Sequence, residues 1–563
     1  MRAKVQIRSN YFNYLKATKK MKINKLILFI ILIIANKSFA QINSKFIDKE
    51  IVDSTLARYC NTDEPGMAIG IVQNGKVLYK NAIGVADLSN NISLTDSAVF
   101  NIASVSKQFT AFLAIMAEEE GKISLQDDIK KYLPELKHLP YKITIKQLAN
   151  HTHGLPNYSD IVEMIGFGLA SPIRNDQAVQ IMLNIRQVNF DAGAQFQYGN
   201  TGFMLLAEIL KRVYEKPFPI LIREKIFEPL FMHQSAVIDN PNTIVKNKAV
   251  AYRKSGDGYL EHPNRQMESG SSNIHTSLND LIKWVINYQK PKVGTEGIYK
   301  KMIEHTVLND GSEVAYGLGL YTGFYKGLNI VFHGGGAAGY RAYILHVPAY
   351  DFSIITLGNL ESYDGLLIVH DLLDLYFKDH FAEPVPAKTS YTAKELKEFE
   401  GTYKFQPGQY WTIKADEENL YFGGDHNPLP LIGDGTFEFF YLPTSYLTFR
   451  PNSMEFRIAD FTYHCEKVTL NPPILSEKEL EKYAGVYQNM EFNTYYETLL
   501  IENNLVAKHL TNGEITLQPL SENIFYGEYP LGELDFQINS EGKVNGFVLS
   551  GQNFENIKFI KLK

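Results

Sequence analysis

Twelve residues in the last third of the chain occur twice, and the repetition dictates how that third is built. Thr392-Ala393-Lys394-Glu395-Leu396-Lys397-Glu398-Phe399-Glu400-Gly401-Thr402-Tyr403 returns as Ser476-Glu477-Lys478-Glu479-Leu480-Glu481-Lys482-Tyr483-Ala484-Gly485-Val486-Tyr487. Each copy opens a segment of about 85 residues made of short aromatic-rich runs broken by Gly, Asn and Pro. The copies are separated by Asn471-Pro472-Pro473 and preceded by a proline-rich linker, Glu383 to Ala387. Two small antiparallel β barrels fit this pattern, with one larger barrel built from both halves as the alternative. A chain of 563 residues exceeds what one hydrophobic core supports. We therefore expect a leader at 1–40, a main domain at 41–383, and barrel-like repeats at 391–470 and 474–563.

Within the main domain, Asn101-Ile102-Ala103-Ser104-Val105-Ser106-Lys107-Gln108-Phe109-Thr110 places a hydroxyl and an amine on one helical turn. Phe109, Phe112, Leu113 and Met116 fall at i, i+3, i+4 and i+7, the buried stripe of an amphipathic helix that ends near Gly121. Three residues apart is a contact spacing, so the Lys107 amine reaches the Ser104 hydroxyl beside the unpaired N–H groups of the helix start. That is the arrangement of an activated serine nucleophile. The spacing alone is weak, because about two chance Ser-x-x-Lys matches are expected in a chain this long. Ser540-Glu541-Gly542-Lys543 is such a match and reads as a hairpin turn.

The composition, 45% apolar and 21% charged, is that of a globular protein. A net charge of −6, with 56 Lys and Arg against 62 Asp and Glu, leaves no polybasic footprint for nucleic acid. Lys19, Lys20, Lys22 and Lys25 precede the apolar run Leu26 to Ala35 and the small-residue site Ser38-Phe39-Ala40, which reads as a secretory signal peptide. Met21 is an alternative start. The run is shorter than the about 20 residues a membrane span needs, so a periplasmic or extracellular protein without a stable membrane span is expected. Its two cysteines, Cys60 and Cys465, are too distant in sequence for a bridge to be inferred.

A helix is expected from Ile42 to about Tyr59, and Asn74-Gly75 between apolar runs signals a hairpin. Leu125 to Leu133 reads as a short helix stopped by Pro134. His151 and His153 have the His-x-His spacing of a zinc site, but Leu155 and Pro156 stand where further ligands belong, so a helix end running into a loop is favoured and no metal is expected. In Gly193 to Phe203, Tyr198 and Asn200 put a phenol and an amide in a glycine-flanked loop ahead of a helix. Ser277 with Asp280 marks a helix start of structural kind. Leu328 to Tyr340 is an apolar strand running through His333 into three glycines, used where a backbone or ligand comes close. No helix follows it, which disfavours phosphate binding.

The order Ser-x-x-Lys at 104–107, Tyr-x-Asn at 198–200 and His-x-Gly at 333–335 resembles the serine beta-lactamase and penicillin-binding-protein superfamily, in its class C-like branch with DD-carboxypeptidases, D-aminopeptidases and esterases. Leu148 to Leu155 resembles the branch's Leu-x-x-His-Thr-Ser-Gly-Leu with His153 replacing Ser, and Tyr316-Gly317-Leu318-Gly319 also matches. The resemblance covers roughly 45–380. It implies an α/β (α+β) fold with an antiparallel sheet flanked by helices and a helical subdomain, and it likens the tail to lipocalin-like C-terminal domains.

The resemblance further implies that Ser104 attacks a carbonyl carbon, that Lys107 and Tyr198 handle its proton, and that the N–H groups of Ser104 and Gly336 form the oxyanion hole. Asn200, Gly335 and His333 are implied to bind or orient substrate. A Tyr198 base at neutral pH needs about three units of depression, for which Lys107 is the evident cation, and a proton shared by the two fits equally well. Beta-lactamases of this branch have Lys-Thr-Gly where His333-Gly334-Gly335 stands, so peptidase or esterase activity ranks above lactamase activity. The expectation is a cofactor-free exported serine hydrolase acting on small amides or esters, most of all D-amino-acid-containing cell-wall peptides. The alternatives are a small-ester hydrolase or weak beta-lactamase with the same residues, and a non-catalytic binding or sensor protein on the same fold.

Overall fold

The computed structural model describes residues 48–381, 390–406, 409–423, 428–439, 445–458 and 461–562. The expected leader and the Glu383 to Ala387 linker lie outside them. The described residues up to Val52 belong to one unit and those from Asp53 onward to a second, compact one. Of the first, the described residues begin the helix Lys49–Leu56. The rest concerns the second unit.

Its centre is an antiparallel sheet of six strands in the order β3-β4-β5-β6-β1-β2. These are β1 Met67–Gln73, β2 Lys76–Ile83, β3 Tyr321–Tyr325, β4 Leu328–Ala337, β5 Tyr340–Val347 and β6 Phe352–Gly358. Asn74 and Gly75 adopt φ of 52° and 75°, the left-handed pair a two-residue hairpin requires. Every residue of β1 is buried, as expected of an interior strand covered on both faces.

Side chains alternate across β4. The His333 and Gly335 face looks onto the segment carrying Ser104, because a Cβ built on Gly335 would lie 2.4 Å from the Ile102 carbonyl oxygen. The opposite face, marked by Gly334 against Tyr343, is covered by the helix Gly365–Phe377. On the site side, the helix Lys107–Glu119 packs against Leu278–Gln289 through the Phe109 ring stacked 4.1 Å from that of Trp284. The buried Gln108 Oε1 accepts from Trp284 Nε1 at 2.6 Å and from the Tyr288 hydroxyl, which locks the pair. Gly121, at φ 69°, follows the first of these helices. Ser277 caps the second, accepting from the Asp280 N–H at 3.3 Å.

The helix expected over Leu125 to Leu133 is instead two 3-10 turns, Ile129–Lys131 and Pro134–Leu136. Asp128 caps the first through the Lys130 N–H, and Pro134 opens the second, where its missing N–H is harmless.

The two repeats form separate sheets, which overturns the single-barrel alternative. Residues 401–468 make an eight-stranded sheet whose ends meet where Tyr421 bridges Pro428 and the Leu429 N–H donates to the Leu420 carbonyl at 2.8 Å. Residues 485–561 close into an eight-stranded barrel, with Tyr487 opposite Lys561. Each copy begins with a helix closed by a capping box, Thr392 with Glu395 and Ser476 with Glu479. In each, a tyrosine hydroxyl donates to the carbonyl four residues back at 2.7 Å, Tyr403 to Phe399 and Tyr487 to Tyr483.

The first repeat has its own core around Tyr403, Phe449 and Phe456, whereas the apolar interior of the second is continuous with that of the main domain. That junction is also polar: the Asn157 N–H donates to the Asn553 carbonyl at 2.9 Å, and Tyr496 to the Met164 carbonyl at 2.8 Å. Cys60 and Cys465 are both free and buried. Among the described residues no helix is long and apolar enough to cross a membrane.

Candidate active site

The nucleophile segment is bent before it becomes helical. The Asn101 Oδ1 accepts from the Ala103 N–H at 2.9 Å, the Ile102 N–H donates to the Ile274 carbonyl at 3.0 Å, and Ala103 is held at φ 46°. A non-glycine residue in this region is strained, and such strain collects at functional sites. The 3-10 turn Ala103–Ser106 then runs directly into the helix Lys107–Glu119. From Ala98 to Ile115 every residue is buried except Ser104, so the bend presents one hydroxyl to the cleft.

Lys107 is fully buried, and its Nζ has three polar neighbours: Asn200 Oδ1 at 2.7 Å, the Ser271 carbonyl at 3.1 Å and Ser104 Oγ at 3.1 Å. The first two only accept. A neutral amine donates its two hydrogens to them and turns its lone pair to the third neighbour, the one that can donate. Burial pulls the Lys107 pKa down, with the Glu268 carboxylate acting in the other direction. The same burial pushes Glu268 up, opposed by Lys107. Glu268 has no sequence signal, since it is a single acid in a Ser- and Gly-rich turn.

The Tyr198 hydroxyl faces Ser104, and its ring centroid lies 4.9 Å from Lys107 Nζ. Burial raises its pKa, against the effect of Ser104, so Tyr198 keeps its proton at rest. The depression that a phenolate base requires is absent. Both ends of the Asn200 amide have protein partners: Oδ1 accepts from Lys107 and Nδ2 donates to Ser159 Oγ at 2.9 Å. Its backbone N–H donates to Asn157 Oδ1 at 2.7 Å.

His333 is 2% exposed and ends a buried relay. Its Nδ1 lies 2.6 Å from the Gly334 carbonyl, which can only accept, so Nδ1 carries the hydrogen and Nε2 accepts from the Tyr316 hydroxyl at 3.5 Å. The Tyr316 oxygen in turn accepts from His151 Nε2 at 3.1 Å, and His151 Nδ1 accepts from the Gly199 N–H at 3.3 Å. Donor and acceptor assignments made from either end agree. Burial, and then the nearby Lys107, lower His333 to about 3. The ring is therefore neutral with both nitrogens occupied, and it ties β4 to the Tyr198 loop. Tyr316 and His151 complete this tie; the sequence marked Tyr316 only as a match to a family motif, and His151 as such a match and as half of a His-x-His spacing.

Of the three glycines, Gly336 is exposed, whereas Gly335 packs on the nucleophile turn, its built Cβ lying 3.1 Å from the Ser104 nitrogen. His153 turns away from the cleft and lies against Gly202, with its Nδ1 accepting from the Leu155 N–H at 2.9 Å. Among the described residues no cluster of three His, Cys, Asp or Glu could hold a metal ion.

Residues 50–374 match the Beta-lactamase family. A D-aminopeptidase of Brucella anthropi is 29% identical over 301 residues, which is 53% of this chain and 56% of that protein. One of Brucella canis is 28% identical over 305 residues, 54% and 57% of the two chains. The chain thus spans about half the length of these curated relatives. The octameric penicillin-binding protein homologue from Pyrococcus abyssi, at 19% identity, superposes with a TM-score of 0.53 over 92% of this chain and 100% of its own, a likeness of fold. With more than half of its residues matched and with Ser104, Lys107, Tyr198 and His333 gathered on one side of the central sheet, the chain belongs to the Beta-lactamase family.

Proposed function

We propose that the protein is an exported serine hydrolase that forms an acyl-enzyme on Ser104 and cleaves amide or ester bonds, most of all in D-amino-acid-containing peptides of the cell wall. One observation carries the reading: the two pure acceptors on Lys107 leave its third position facing Ser104 Oγ, where a general base belongs. Lys107 takes the hydroxyl proton as Ser104 Oγ attacks the carbonyl carbon. The tetrahedral oxyanion is received by the N–H groups of Ser104 and Gly336. Tyr198, protonated and facing Ser104, gives its proton to the departing nitrogen or oxygen as that bond breaks, and Lys107 returns the first proton to Tyr198. Water then releases the acyl group by the same steps in reverse. Asn200 and His333 act here by holding Lys107 and β4 in place.

The D-peptide substrate is supported by the similarity to the Brucella D-aminopeptidases. The neutral His333 supplies no cation for a substrate carboxylate, which weighs against a lactamase. The Lys-rich, apolar leader over 1–40 supports export to the periplasm or beyond.

The test is the intact mass of the protein and of Ser104→Ala after exposure to D-alanine p-nitroanilide, p-nitrophenyl acetate and penicillin G, with chromophore release followed in parallel. An adduct or turnover that vanishes in Ser104→Ala is the expected result, and the anilide should react in preference to the penicillin. Silence with all three reagents overturns the reading in favour of a non-catalytic binding protein.

A further inference from the structure

We propose that Glu268 is a positioning residue for the Ser104 reaction: its carboxylate, buried behind Lys107 on the turn whose Ser271 carbonyl takes the Lys107 amine, shares a proton with that amine and sets the pH range in which it acts as base. The inference rests on the acyl-enzyme reading above.

Glu268 is 4% exposed. Its carboxylate lies 3.4 Å from Ser271 Oγ, in the field of the Asn200 amide. These are the two residues whose oxygens accept from Lys107 Nζ. The turn cannot drift, because the Glu268 N–H donates to Asn273 Oδ1 at 2.9 Å and Thr110 Oγ1 to the Gly270 carbonyl at 2.7 Å. Gly270, at φ 98°, is wedged so closely that a Cβ would lie 2.4 Å from the Phe203 carbonyl. The backbone thus fixes the turn without help from the carboxylate, which is left to act on Lys107.

A buried acid and a buried amine are least costly when they hold one proton between them, as amine with carboxylic acid or as ammonium with carboxylate, because either state is neutral overall. Other groups bear on the pair. Lys107 also faces His151 and His333, both kept neutral by burial. Glu268 also faces Asp160 and Tyr158 on the helix Tyr158–Met164, and Tyr198; the Asp160 charge favours protonation of Glu268. An ionised Glu268 stabilises the Lys107 ammonium, so removing that charge frees the amine at lower pH.

The experiment is the pH profile of the acylation rate with p-nitrophenyl acetate, for the full protein, Glu268→Gln and Glu268→Asp. Glu268→Gln keeps the side-chain shape and the Ser271 contact, and its acid limb should move down by about one pH unit. Glu268→Asp, which keeps the charge but draws it back by one methylene, should move in the same direction by less. A limb that stays in place in a folded variant, with only the plateau rate lowered, overturns the proposal and leaves Glu268 a structural residue. Should Glu268→Gln not fold, Glu268→Asp decides in the same way. A wild-type protein that no reagent acylates overturns the parent reading and this one with it, an outcome distinct from an acylated protein with an unmoved limb.

Discussion

Gly335→Ala tests whether the packing of β4 on the nucleophile turn sets the reaction geometry. The new Cβ would sit 2.4 Å from the Ile102 carbonyl oxygen and 3.1 Å from the Ser104 nitrogen. Ordinary contact begins near 3.4 Å, so the strand and the turn must separate by about 1 Å, and both offending atoms are backbone. The turn has little give, since Ala103 is already at φ 46° and its N–H is tied to Asn101. A misplacement of about 1 Å costs about 100-fold in rate, and loss of one oxyanion donor about 100- to 1,000-fold. Overpacking costs about 1–3 kcal/mol of stability. Gly334→Ala is the control: its Cβ would meet the Tyr343 ring at 3.1 Å, on the sheet face turned away from Ser104. Stopped-flow acylation by p-nitrophenyl acetate should fall at least 100-fold in Gly335→Ala and stay within a few-fold in Gly334→Ala, while thermal melting shows both folded. Acylation of Gly335→Ala within threefold of wild type, or equal losses in the two variants, refutes the argument.

Lys107→Arg keeps a cation but installs one that does not deprotonate, so acylation should fall about 100- to 10,000-fold at every pH; a rate restored at high pH would show that another group is the base. Acid stability follows from buried neutral histidines. Burial lowers His153, His275 and His333 to about 3 and His346 to about 4, below the ordinary 6.5, so the unfolded chain takes up protons that the folded chain refuses, and stability is lost as pH falls through 6.5. From pH 6.5 to 5.5 each of these four costs about 1 kcal/mol, while Glu268, pushed up by burial, returns about 1, so these five groups together cost about 3 kcal/mol and the buried His151 adds to the loss. Thermal midpoints at the two pH values check this, and a midpoint that holds or rises at pH 5.5 counts against the burial of these rings.

Local chemistry was legible where neighbours in sequence decide it. Asn74-Gly75 specifies a turn whatever surrounds it, and the pairings of Gln73 with Lys76 and Val72 with Val77 follow, before a bulge at Ile71 shifts the register by one residue. The paired strand starts of the two repeats are likewise visible, because the same capped helix precedes Gly401 and Gly485. The neighbours of β1 were not legible: Met67 pairs with Gly358, nearly three hundred residues away, and no spacing encodes that register. Leu125 to Leu133 misled for a related reason. Its apolar periodicity is real, but Asp128 takes the Lys130 N–H and the Ile129 N–H goes to the Ile143 carbonyl, so tertiary bonds break the helix that propensity would build. The fusion of the second barrel with the main core was equally hidden, since nothing in the tail's own pattern says what its outer surface covers.

In the site, visibility falls with each step from the reacting atom. Ser104 and Lys107 share one turn, so their spacing is itself evidence. Tyr198, Asn200 and His333 became visible through the order of three motifs; the structure adds their protein partners, Lys107 and Ser159 at the two ends of the Asn200 amide, and the Gly334 carbonyl and Tyr316 at the two His333 nitrogens. Glu268 acts through Lys107, and a residue that works through another obeys no spacing rule. Yet the charge balance turns on it. Burial of Lys107 alone would favour a neutral amine at rest, and a facing carboxylate with no titration of its own would hold the ammonium. With both groups buried, one proton satisfies the pair in either position, and the base becomes available near neutral pH without any dedicated cation on Tyr198. Enclosure by the 3-10 bend, the Tyr198 loop and the Gly270 turn thus supplies a base without the depressed tyrosine that was one of the two expectations from the sequence.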